Sequence, residues 1–82
     1  MEENKNINIF RTDSFAISSF LLANSCKLLK IDKTNPRHAF FIFEETERRK
    51  QLTESFLSFT AAVEPNKFIT AQKSLKQILY QE

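Results

Sequence analysis

His38-Ala39-Phe40-Phe41-Ile42-Phe43 is the stretch on which the fold turns. Its apolar residues occupy both parities instead of alternating with polar ones, the pattern of a strand covered on both faces and paired on both sides. It therefore belongs at the centre of a sheet. Immediately upstream, Lys27-Leu28-Leu29-Lys30-Ile31-Asp32 reads as a second strand. The two are joined by Lys33-Thr34-Asn35-Pro36-Arg37, in which Pro36 has no N–H to offer a ladder. Further upstream, Asn6-Ile7-Asn8-Ile9-Phe10 alternates isoleucine with asparagine, as in a strand that buries one face through Ile7 and Ile9.

The helices fall between and after these strands. Thr12 and Asp13 offer N-caps to residues 14–24, where Phe15, Ala16, Ile17, Phe20, Leu21 and Leu22 give about three turns of apolar helix. After the central strand, Glu44, Glu45 and Glu47 bring negative charge to a helix start, with Thr46 as N-cap. Leu52, Phe56 and Phe59 at i, i+4 and i+7 predict an amphipathic helix over about residues 47–59. Pro65 suits a first helical turn, and Phe68, Ala71, Leu75, Ile78 and Leu79 form the stripe of a last helix to about Tyr80. The expected fold is α+β, in the order β-α-β-β-α-α. If the first helix returns the chain between strands one and two, the third strand runs opposite to both. The result is a three-stranded antiparallel sheet of order 1-3-2 with three helices.

Composition bounds what such a fold can do. At 82 residues the chain supports one core, so residues 6–82 are expected to form a single domain behind a loose polar N-terminus over residues 1–5. A hydrophobic share of 41% with 27% charged residues is globular, and nine phenylalanines supply large apolar surfaces. There is no glycine, where average usage gives roughly six. Phosphate loops, dinucleotide fingerprints and nucleophile elbows depend on glycine and are excluded in their standard forms. A net charge of +2 is too small to claim nucleic acid by itself. The lone Cys26 precludes an internal disulfide and suits a reducing compartment. With no signal-peptide order in the first twenty residues and no apolar run of bilayer length, a complete cytoplasmic chain without membrane contact is expected.

The chemical inventory is thin. His38 and Cys26 are the only residues of their kinds, so a zinc site of Cys and His ligands cannot be completed. Asp13, Asp32, Glu44, Glu45, Glu47, Glu54 and Glu64 fall at no metal-binding spacing. Cys26 follows a helix C-terminus, which disfavours a thiolate. No serine or threonine is accompanied by a base and its orienter. The expectation is a non-catalytic protein without a cofactor.

Two binding classes remain. One is a protein-interaction module, self-associating or engaging another protein, whose face would be Phe10, Phe40, Phe41, Ile42 and Phe43. The other is nucleic-acid binding through Lys27, Lys30, Lys33, Arg37 and His38 on the hairpin, with Arg48 and Arg49 as a second basic run. If no helix covers the back of the sheet, Phe10, Lys30 and one parity of the central aromatics would make a base-stacking platform.

Several stretches are also familiar together: Ile9-Phe10-Arg11-Thr12, Phe20-Leu21-Leu22-Ala23 leading to Lys27-Leu28-Leu29, Phe41-Ile42-Phe43-Glu44, and Val63-Glu64-Pro65-Asn66-Lys67-Phe68 followed by Ala71-Gln72-Lys73-Ser74-Leu75-Lys76. They resemble a family of short bacterial and phage proteins known as a domain of unknown function, over about residues 8–80. The family often places a small or glycine residue before the second strand and after the second helix. Here those places hold Ser25 and residues 60–62. The resemblance implies an association with phage or mobile elements and carries over no catalytic or binding residue.

Overall fold

The structure, a computed structural model, describes residues 8–35 and 37–80. The expected loose N-terminus, Ile7 of the first strand and Pro36 lie outside the described residues. The elements are β1 (Ile9–Thr12), α1 (Phe15–Ala23), β2 (Leu28–Asn35), β3 (His38–Glu44), α2 (Glu47–Leu57) and α3 (Pro65–Tyr80). The sheet has the order β1-β3-β2 with both pairings antiparallel, the α+β arrangement expected from the sequence.

Register sorts the side chains into two faces, because directly opposed residues point the same way. Phe10 and Leu28 oppose Phe43, while Thr12 and Ile31 oppose Phe41. On the other face, Arg11 and Lys30 oppose Ile42, and Asp32 opposes Phe40. The helices take the first face. Leu21 of α1 and Leu75 of α3, both 0% exposed, join Phe41 and Phe43 in one core cluster. The smallest extent of the fold is 18 Å, room for a sheet and one helical layer but not for a second layer about 10 Å thick.

Two expectations are corrected here. The first is that β3 is covered by other elements on both faces. Among the described residues, no helix lies on the Phe40 and Ile42 side; instead the sheet shields itself. The Arg11 guanidinium sits 3.9 Å from the Phe40 ring centroid, and the His38 ring stacks on Phe40 at 4.9 Å. Ile42 is only 6% exposed between its register partners Arg11 and Lys30, because long basic side chains lay their stems over apolar neighbours. The second correction concerns β1. Ile9 is 49% exposed and Phe10 faces the core, since the larger ring gains more from burial against Phe43.

Side chains set the element ends. The N-cap of α1 is Ser14, not Thr12 or Asp13: its Oγ accepts from Ile17 N at 3.0 Å, and Thr12 Oγ1 accepts from Ser14 N at 3.1 Å. Thr46 caps α2, accepting from Arg49 N at 3.0 Å. β2 runs three residues past the expected strand, to Asn35, because Asp32 and Asn35 replace a wide turn with local hydrogen bonds. Asp32 Oδ1 accepts from Thr34 N at 2.9 Å and Asn35 Oδ1 from Arg37 N at 2.9 Å.

Both short helices end through a left-handed residue that is not glycine. At α1, Ser25 has φ 69°, Ser25 N donates to Leu22 O at 3.0 Å and Cys26 N to Leu21 O at 3.0 Å. At α2, Phe59 has φ 63°, Phe59 N donates to Phe56 O at 3.3 Å and Thr60 N to Ser55 O at 2.9 Å. These paired bonds are the Schellman ending. The second helix therefore stops at Leu57 and not at Phe59. Phe59, expected on the apolar stripe, is 96% exposed.

The α1 and α3 helices pack on each other, helped by small buried residues: Ser18 and Ser19 at 0% and Ala71 at 5% exposure. Ser19 Oγ donates back to Phe15 O at 2.8 Å. Ser18 Oγ is buried without a hydrogen-bond partner.

Candidate functional site

The basic residues picked out from the sequence do not converge. Arg49 is 8% exposed and fully engaged inside the fold. Its Nε and Nη2 donate to the Glu45 carboxylate at 2.8 and 2.6 Å, its Nη1 donates to Thr53 Oγ1 at 3.1 Å, and its guanidinium lies 3.8 Å from the Phe10 ring centroid. It is an anchor tying α2 to β1, which removes it from any ligand surface. Arg48 donates to Asn24 O at the end of α1. Lys33 Nζ donates to Leu79 O at 2.9 Å, satisfying a carbonyl at the end of α3. His38 Nε2 lies 2.6 Å from Asp13 Oδ2. Lys27, Lys30 and Arg37 are exposed. Lys27 and Arg37 flank the eight-residue β2 at opposite ends, roughly 25 Å apart at strand rise.

The expected interaction face is likewise split. Phe41 and Phe43, 2% and 0% exposed, are core, and Phe10 packs with them. They cannot meet a partner while the domain is folded. Only Phe40 and Ile42 belong to the uncovered sheet face, and their own neighbours cap them. Phe10 also lies on the opposite face from Lys30, so the platform of Phe10, Lys30 and central aromatics is not assembled.

Acid groups on and around the sheet act locally. The hydrogen bond with His38 holds the Asp13 carboxyl below its ordinary range. Hydrogen bonds from Thr34 do the same for Asp32, with Arg11 adding its charge at 3.4 Å. Arg49 lowers Glu45. Burial pushes the Cys26 thiol up, against the smaller opposing pull of Arg48 and Arg49, so the protonated thiol is favoured and behaves as small apolar filler. Among the described residues, no three His, Cys, Asp or Glu side chains are grouped to hold a metal ion. No helix among them is long and apolar enough to cross a membrane.

Apolar surface concentrates elsewhere, on the helical layer. Leu57 is 63% and Phe59 96% exposed, forming an apolar tip where α2 ends. Phe56, just before it, turns inward onto Phe20 of α1, with ring centroids 5.4 Å apart. An open groove of 610 Å³ runs between the end of α1 and α3, with Leu22, Ala23, Ala71 and Ile78 among its lining residues. Sequence reasoning missed the tip because Leu52, Phe56 and Phe59 have helical spacing. The signal that could have found it is the stretch Leu57-Ser58-Phe59-Thr60, where Ser58 and Thr60 are weak helix formers and an ending after Leu57 carries Phe59 out of the stripe.

The described residues form a two-layer α+β domain with one sheet face that none of their helices covers and an apolar tip on the helical layer. A family model covers residues 7–81 of the chain, which belongs to that family, described as a domain of unknown function (DUF5659). Comparison with curated proteins gives no match, and comparison with solved structures gives none.

Proposed function

We propose that this protein is a small non-catalytic protein-interaction module that self-associates through apolar side chains of its helical layer, the Leu57 and Phe59 tip above all. One observation carries the reading: Phe59 is 96% exposed on a left-handed backbone. A residue with a Cβ pays about 1–2 kcal/mol for that conformation, and a ring so exposed returns almost nothing to the core. A side chain that costs the fold and barely touches it is available to a second molecule. Phosphate binding has weaker support, because Arg49 is internal, Arg48 and Lys33 are spent on helix-end carbonyls, and His38 is paired with Asp13.

Light scattering on the full chain over a range of concentrations tests the reading. The mass should rise from the 9.6 kDa of one chain towards twice that value, with little dependence on salt, and Phe59→Ser should hold it at one chain. A wild-type mass that stays at one chain at every attainable concentration removes self-association. Salt-sensitive retardation of an oligonucleotide would favour nucleic acid instead.

A further inference from the structure

We infer that the cavity between the end of α3 and the turn joining β2 to β3 is a binding site for a phosphate monoester of a compact ring-bearing group, such as a nucleoside. The inference goes beyond self-association and does not rest on it.

Charge gives the first argument. The basic residues picked out from the sequence are scattered as a set, but Lys33, Arg37 and His38 line this one cavity. Among the described residues that line it, none is a carboxylate. Other hollows differ: the groove between α1 and α3 sets Glu64 beside Lys67, and the hollow at Cys26 holds Glu44 beside Lys27 and Arg48. A phosphate monoester carries roughly 1.5 to 2 negative charges at neutral pH. That matches Lys33 and Arg37 and leaves His38 as a further partner.

Local pairing gives the second. The bonds that keep Lys33 and His38 from an open basic surface also hold them at the cavity. Lys33 gives one N–H of its ammonium to Leu79 O at 2.9 Å and keeps the others. The same bond offsets the negative end of α3, which would otherwise repel an anion. His38 meets Asp13 Oδ2 through Nε2 at 2.6 Å, which leaves Nδ1 for a ligand. Asn35 Oδ1 accepts from Arg37 N at 2.9 Å and so fixes the turn that carries this exposed arginine.

Shape gives the third. The cavity measures 650 Å³, within the range of small-molecule sites. Ala39, Leu79 and Tyr80 give it an apolar and aromatic side, and the same three residues line an adjoining hollow of 290 Å³ that reaches Phe15 and Phe41. Among the described residues there, the carboxylate is Asp13, already tied to His38. A phosphate held on the basic side would bring the ring it carries against Tyr80, which is 79% exposed and open to stacking.

Titration of the isotope-labelled full chain with adenosine monophosphate, followed by NMR, tests the site. The backbone amides of Lys33, Arg37, His38 and Tyr80 should shift together along one saturating curve. Adenosine and inorganic phosphate should each bind at least about 10-fold more weakly. Arg37→Ala, at an exposed turn position, should lower the affinity about 10-fold or more with urea unfolding unchanged. Lys67→Ala, at the groove between α1 and α3, should leave binding as it is. Phe59→Ser should also bind as the wild type does, which separates this outcome from self-association. Shifts that never saturate, or that fall equally on Lys27 and Lys67, would overturn the site. Adenosine binding as tightly as its monophosphate would overturn the phosphate contact, and inorganic phosphate binding as tightly would overturn the ring-bearing ester.

Discussion

At the end of α1, left-handed Ser25 turns the chain so that Cys26 drops against the cluster containing Leu21; at the end of α2, left-handed Phe59 turns it through the same pair of bonds and its ring stands in solvent. The backbone device is shared, and what differs is where the next side chains go. After α1 the chain enters β2 at once, so the residue following the cap is drawn into the core. After α2 it crosses residues 58–64 before α3 begins, and nothing pulls the cap inward. A Schellman ending thus serves folding in one place and presents an aromatic ring in the other.

The comparison breaks most visibly if both helix ends prove equally important to stability. Leu21→Ala, at a position 0% exposed, should cost about 2–5 kcal/mol in urea unfolding. Leu57→Ala should change stability by less than about 0.5 kcal/mol; comparable losses would place the α2 end in the core.

Next in size is the anchor that holds α2 while its end stays free. Arg49→Ala strands the Glu45 carboxylate, partly buried at 18% side-chain exposure, and should cost roughly 3 kcal/mol. It should also change the acid limb of the stability curve. Glu45, Asp13 and Asp32 each have a folded pKa below the ordinary value. Their stabilisation is present above about pH 4 and lost as pH falls through the lowered values. Without Arg49 the acid limb should flatten by the Glu45 share; an unchanged pH profile would show that the pair contributes nothing.

A smaller effect is expected inside α1. Ser18→Ala removes a buried hydroxyl that has no partner and adds helix propensity, so it should stabilise by about 1 kcal/mol. Destabilisation would mean that the hydroxyl is satisfied. Smallest of all, glycine at either cap should stabilise by roughly 0.5–1 kcal/mol, the left-handed penalty less glycine's unfolded entropy. Ser25→Gly should leave association untouched, whereas Phe59→Gly should abolish it.

Much of this was legible before the structure. Phe40 to Phe43 placed β3 at the centre, Thr46 capped α2, and Pro65 opened α3 where the structure has it. Strand order followed from that central placement, and chain direction then made both pairings antiparallel. What could not be read was which neighbour shields an apolar residue: Phe40 and Ile42 look buried on paper whether a helix or their own Arg11, Lys30 and His38 cover them. Helical spacing likewise extended α2 by two residues, because periodicity has no term for a cap whose hydrogen bonds turn the chain. Arg49 showed the opposite failure. Its charge suggested a surface, but Glu45 and Thr53 at i−4 and i+4, with Phe10 beneath, make it internal.

The central claim is that Phe59 is exposed in one chain and covered by a second. The sequence contains no tryptophan, so Phe59→Trp places a single reporter at the tip. Its emission, followed as concentration rises, should begin at the wavelength of a solvated indole and shift to the blue as copies associate. Emission that stays solvated while the mass doubles would contradict the claim.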